Sequence, residues 1–143
     1  MIAFQRAKVY CLAILTVATL AGSNIAIAHH SFSMFDMTKS VTLSGTVAKF
    51  DWTNPHAYID LDVPSKEDGA VKHWVIELGS PSILQQSGWK FKDLKFGDKV
   101  TAVISPLKSG ELGGLLVQVT LPDGRVLGNG PGRGPAAPTP PTR

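Results

Sequence analysis

Ala57-Tyr58-Ile59-Asp60-Leu61-Asp62-Val63 alternates apolar and polar residues without a break. Successive side chains on a β-strand point to opposite faces. The run is therefore a strand that buries Ala57, Ile59, Leu61 and Val63 and turns Tyr58, Asp60 and Asp62 the other way. Upstream, Val41, Leu43 and Val47 alternate with polar neighbours in a second half-buried strand. Gly45 lies in its middle, where a glycine marks a bend or bulge. Downstream, Pro64 to Gly69 is a turn, and Val71 to Leu78 is a third strand with Trp74, Ile76 and Leu78 on one face.

A short helix follows. Ser80 suits the N-cap, Pro81 the first helical position and Gly88 the C-terminal cap, which leaves room for about two turns. Trp89, Phe91, Leu94 and Phe96 then supply large apolar groups expected to plug the core. Gly97-Asp98 turns into a fourth strand, Lys99 to Ile104. Gly113-Gly114 reads as a flexible turn ahead of a fifth, in which Leu115, Val117, Val119 and Leu121 alternate. Asp123-Gly124 is a tight-turn pair before a short sixth strand, Arg125 to Leu127.

Three strands, one helix and then two or three strands is the element order of an OB-type barrel. The expected fold is mainly β: a small OB-like barrel of five to six strands with one short helix between strands three and four. An open β-sandwich is the rival, and the position of the helix favours the barrel.

Outside residues 41–127 the composition changes. Arg6 and Lys8 precede the apolar run Val9 to Leu20, and Ala26-Ile27-Ala28 fits a small-x-small cleavage site. These three parts in order make residues 1–28 a cleaved secretory signal, with a retained anchor as the alternative. A spanning helix wants about 20 apolar residues, and Ser23 and Asn24 interrupt this stretch. The expected location is periplasmic or secreted, with membrane contact only through the signal before cleavage. Cys11, the one cysteine, starts the apolar run and would leave with it, so no disulfide and no thiolate site is expected afterwards. Cleavage removes two of the 14 basic residues and leaves 12 against 11 acidic ones. That balance lacks the basic field that nucleic-acid binding requires. Residues 29–40 form a His/Met leader. Residues 128–143, Gly/Pro-rich and nearly without apolar side chains, are expected to be a disordered tail.

Two groups of residues carry candidate chemistry. Cleavage after Ala28 would free the amine of His29, and an α-amine with the imidazole of the same residue can chelate a metal. His30 follows, with Met34 and Met37 close behind. Imidazole suits copper and zinc, and thioethers favour Cu(I). This makes copper the expected cofactor of the leader. The plain alternative is that Phe32, Met34, Phe35 and Met37 are an apolar strap across the barrel, since methionine fills irregular gaps.

The second group is the loop between the first two strands, where Trp52, Asn54, His56 and Tyr58 could bind a ligand and His56 could complete a metal site. In OB folds this loop borders the usual binding face. Its plain alternative is an ordinary loop built by the turn former Asn54-Pro55. His73 and Glu77 share a strand face and could act as an acid–base pair, or form only a solvated surface. Nucleophilic catalysis lacks a mature cysteine and a Gly-x-Ser-x-Gly turn. Gly113-Gly114 lacks the rest of a phosphate loop.

His29-His30-Ser31-Phe32, Gly45-Thr46-Val47, Asn54-Pro55-His56-Ala57 and Trp74-Val75-Ile76-Glu77 occur in that order. Leu84, Gly88-Trp89, Gly97-Asp98-Lys99-Val100 and Asp123-Gly124-Arg125 follow. As a set they resemble a family of small exported bacterial proteins, domain of unknown function 6152, from His29 to about Leu127. The resemblance implies export and a common fold, and it implies no mechanism.

Three functions follow as expectations. The first is an exported, non-enzymatic binding protein that takes copper at His29. The second is a metal-free module that binds a protein or small ligand at the Trp52–Tyr58 loop. The third is a copper-dependent redox enzyme.

Overall fold

The computed structural model describes residues 32–65 and 67–130. The expected signal segment, His29 and His30, and residues 131–143 of the expected tail lie outside the described residues, whereas residues 128–130, expected to be disordered with that tail, are held by the fold, Asn129 being buried.

Six strands and one helix run in the order β1 (Val41–Asp51), β2 (Tyr58–Pro64), β3 (Val71–Glu77), α1 (Pro81–Gln86), β4 (Lys99–Pro106), β5 (Gly113–Thr120) and β6 (Val126–Gly128). Neighbours in the sheet follow β3-β2-β1-β4-β5-β6, all antiparallel. A parallel pairing of β3 with β5 closes the first five strands into a barrel, and β6 extends β5 beyond the closure. The fold is mainly β, an OB-like barrel with its helix between β3 and β4.

One strand serves both halves of the barrel. Residues 41–46 of β1 pair with β4, and residues 46–51 pair with β2. Gly45 sits at the changeover. A Cβ there would lie 2.5 Å from the Asp62 carbonyl oxygen, so only glycine lets β1 pass this close to β2. The bulge itself falls three residues later, at Ala48, between the pairs Val47↔Leu61 and Lys49↔Asp60. The Gly97–Asp98 turn completes the backbone of Val47: Asp98 O accepts from its N–H at 2.8 Å, and Gly97 N–H donates to its carbonyl at 2.9 Å.

Strand β5 departs from the expected pattern in two places. Gly113 and Gly114 are not a free turn. They open β5 between two strands, pairing with Val75 and Ile76 of β3 and, at Gly114, with Pro106 of β4. A Cβ on Gly113 would come within 2.9 Å of the Val75 carbonyl oxygen, and one on Gly114 within 2.5 Å of the Ser105 carbonyl oxygen. Further along, the ladder steps from Val103↔Gln118 to Ile104↔Leu116 and leaves Val117 as the extra residue. This bulge turns Leu116 into the core in place of Val117.

The core gathers Leu43, Val47, Ile59, Leu61, Ile76, Leu78, Ile104, Leu116 and Val119 inside the barrel. Each such fully buried aliphatic chain contributes roughly 1.5–3 kcal/mol. Helix α1 plugs one end through a single buried residue, Leu84. Its start is capped by Ser80 Oγ, which accepts from Ile83 N–H at 3.5 Å, with Pro81 in the first turn. Gly88, at φ +89°, carries the chain past the Ser87 cap. Of the four large residues expected to fill the core after this helix, Trp89 and Leu94 do so. Phe91 and Phe96 do not, being 62% and 82% exposed. They occupy turns outside the barrel, where no inward position is available to them. Trp89 Nε1–H donates to the Gly128 carbonyl at 2.8 Å, and Asn129 Oδ1 accepts the Gly79 N–H at 2.6 Å. Gly128 and the buried Asn129 thus fasten the end of β6 to the approach of α1.

Candidate functional site

The β1–β2 loop begins where Asp51 pairs with Tyr58 and ends against β3. Ala57 fixes it: its N–H donates to Gly79 O at 3.1 Å, and its carbonyl accepts from Leu78 N–H at 2.8 Å. The Asn54–Pro55 peptide is cis, and Asn54 is exposed. Trp52 is partly buried, edge-on to Phe50 with ring centroids 5.6 Å apart, and Phe50 in turn lies 5.8 Å from Trp89. Much of the Trp52 ring is therefore engaged in holding the loop on the barrel.

His56 and Tyr58 meet a residue that periodicity alone did not connect to them. His56 Nδ1 lies 2.6 Å from Glu77 Oε1, and Glu77 is directly across from Tyr58 in the β2–β3 ladder. Burial pushes the Glu77 carboxyl above its ordinary value, while the charge of His56 and its hydrogen bond pull the other way. The Tyr58 hydroxyl is also raised, first by burial and then by the negative charge of Glu77. A carboxylate only accepts hydrogen bonds, so Nδ1 carries the proton and Nε2 of a neutral imidazole keeps its lone pair. A histidine held in this way by a carboxylate is oriented to ligate a metal or to accept a hydrogen bond through its far nitrogen.

The expected His73–Glu77 partnership does not form, although the two share a face. His73 Nδ1 instead pairs with Asp62 Oδ1 at 2.8 Å, directly across the ladder and largely exposed. Both partners could have been found by counting register from the Pro64–Gly69 turn: if Pro64 faces Val71, then Asp62 faces His73 and Tyr58 faces Glu77.

The leader is joined to the barrel from Met34 onward. Phe35 bridges to Leu107, Asp36 N–H donates to Pro106 O at 2.8 Å, and Lys108 N–H donates to Met34 O at 2.9 Å. Phe35 is 3% exposed and anchors this short strap, whereas Met34 and Met37 on either side are 50% and 55% exposed. The strap is thus apolar at one residue and presents both thioethers to solvent. Asp36 ends it in a turn. Hydrogen bonds from the Thr38 hydroxyl and from Lys39 hold its carboxyl down to about 2. Among the described residues, no three His, Cys, Asp or Glu side chains are placed to hold a metal ion together.

The Family of unknown function (DUF6152) matches residues 17–118, and the chain belongs to that family. No curated protein matches the chain. Among solved structures, the mitochondrial single-stranded DNA binding protein of S. cerevisiae is similar at 14% identity, over 64% of this chain and 96% of that one, with a TM-score of 0.43.

Proposed function

We propose that this member of a family without an assigned activity is an exported, non-enzymatic binding domain, and that the β1–β2 loop is its binding site. The observation that carries the reading is the His56–Glu77 pair. It fixes one imidazole nitrogen at 2.6 Å from a half-buried carboxylate, on a side chain that stays partly exposed beside the exposed Asn54. The site offers one oriented lone pair, the Asn54 amide and the Tyr58 hydroxyl, which suits hydrogen-bonded recognition. The neighbouring face carries Asp51, Asp60, Asp62 and Glu77 against Lys49, which supports a partner other than nucleic acid. The test is recovery of periplasmic partners on the purified protein in the presence of a metal chelator. A partner recovered by the parent and lost by Asn54→Ala with His56→Ala supports the loop. Equal recovery by both proteins removes it.

A second reading keeps copper. It rests on the freed amine and imidazole of His29, with His30, and the exposure of both Met34 and Met37 beside the anchored Phe35 favours it. Soft thioethers at the surface suit Cu(I), and the amine–imidazole pair suits Cu(II). Titration of the mature protein with Cu(II) should weaken by at least about tenfold when one residue is added before His29. Met34→Leu with Met37→Leu should weaken Cu(I) alone. Affinities unchanged in both variants discard the copper reading and leave the loop reading standing.

A further inference from the structure

A groove of about 450 Å3 opens on the outside of the barrel where β1 leaves β4 for β2. It is of a size that takes a small organic ligand. Four hydroxyl residues line it, Ser44 and Thr46 from β1, Thr101 from β4 and Thr120 from β5, together with Lys99 at the start of β4. Cross-strand register assembles them. Ser44 faces Thr101, Thr101 faces Thr120, and Thr46 faces Lys99. Ser44 Oγ and Thr101 Oγ1 are 3.2 Å apart, so one donates to the other and the second proton stays available.

Two features set the ligand chemistry. Lys99 is the one charged residue in the lining, and among the described residues its ammonium has no hydrogen bond or ion pair. The groove thus has a single positive charge and no carboxylate to neutralise it. The hydroxyls, which both donate and accept, match partners that do the same. Pro64 and Pro122 add aliphatic walls for C–H surface. We propose that this groove binds a small hydroxylated carboxylate, a sugar acid in chemical class. Its carboxylate sits on Lys99, and its hydroxyls lie along Ser44, Thr101 and Thr120.

The site is separate from the β1–β2 loop and does not rest on the loop reading. The test is titration of the ¹⁵N-labelled protein with glucuronate, glucose and inorganic phosphate. Glucuronate should shift the amides of Ser44, Thr46, Thr101 and Thr120, and glucose should bind at least about tenfold more weakly. Lys99→Met keeps the apolar stem of an exposed residue and should cost at least about tenfold in glucuronate affinity, and Thr101→Val roughly three- to fivefold. Phosphate binding as tight as glucuronate would show charge alone at work and overturn the hydroxyl part of the proposal. Glucose binding as tight as glucuronate would overturn the carboxylate part. Shifts that are absent, that map elsewhere, or that persist unchanged in Lys99→Met overturn the site. Loss of binding in His56→Ala would also overturn it, because that loop is no part of the groove.

Discussion

The barrel wears two outer faces that share strand β1 and differ in how they satisfy their polar groups. On the β2–β3 side, the cross-strand rows are Thr46–Asp62–His73, Lys49–Asp60–Val75 and Asp51–Tyr58–Glu77. Each carboxylate in these contacts has a basic partner: Lys49 holds Asp51 at 2.8 Å, His73 holds Asp62, and His56 holds Glu77. On the β4–β5 side, the rows Thr42–Val103–Gln118 and Ser44–Thr101–Thr120 carry no ionisable group, and Lys99, across from Thr46, stands beside them. There the Ser44 and Thr101 hydroxyls hydrogen-bond to each other, and either can be the donor. The first face is therefore sensitive to the loss of any one partner and to pH, whereas the hydroxyl rows of the second hold no ion pair to lose. Oriented chemistry belongs with the fixed pairs, and adaptable hydrogen bonding belongs with the hydroxyls.

The largest perturbation strikes both faces at once. Gly45→Val forces side-chain atoms into the space that the Asp62 carbonyl needs, and β1 can no longer serve both sheets. It should cost about 3 kcal/mol or more, read as a fall in melting temperature of about 10 °C or more. A melting temperature near that of the parent would mean that the crossing is not tight. Next in size is His56→Ala, which strands a half-buried carboxylate and should cost about 1–2 kcal/mol at pH 7 in urea denaturation. An equal loss in Thr101→Val would erase the contrast between the faces.

The pH dependence of Glu77→Gln sharpens the contrast further. Burial raises the Glu77 carboxyl, so the native state holds its proton to higher pH than the unfolded chain does. Its contribution to stability is full below the ordinary value of 4.5 and is lost as pH rises through the raised one. Glutamine stays neutral and avoids that loss. The variant should therefore stand better relative to the parent at pH 7 than at pH 4, and the opposite order would mean that the His56 contact outweighs burial. Smallest is Thr101→Val, which removes one exposed hydroxyl contact and should stay within about 0.5 kcal/mol at both pH values.

What could be read in the sequence was whatever repeats along one strand. The period of two in Ala57–Val63 and the caps around Pro81–Gln86 depend on neighbours a few residues away, and both appear in the structure as expected. What escaped depends on partners distant in the chain. The Val117 bulge flips the inward register of β5 to suit β4, and the role of Gly113 and Gly114 is set by strands on either side. Phe91 and Phe96 show the same limit, since apolar character says nothing of whether an inward position exists. At the site, His56 and Tyr58 were visible as chemistry-bearing residues, while Glu77 became their partner only through pairing across β2 and β3.

The seam between β3 and β5 has a consequence for how the chain finds this structure. It joins strands separated in sequence by α1 and β4 through three pairs, Val75↔Gly113, Ile76↔Gly114 and Glu77↔Leu115. The β1–β4 ladder also closes a long loop, but it gains six pairs in return, whereas this seam gains three for its entropic cost. Glycines add to that cost, having the most freedom to give up. Closure of the ring is thus the natural last step of folding and the first place to breathe open. Since Glu77 lies on that seam as well as across from Tyr58, opening the ring frees one of the two strands that hold the carboxylate orienting His56.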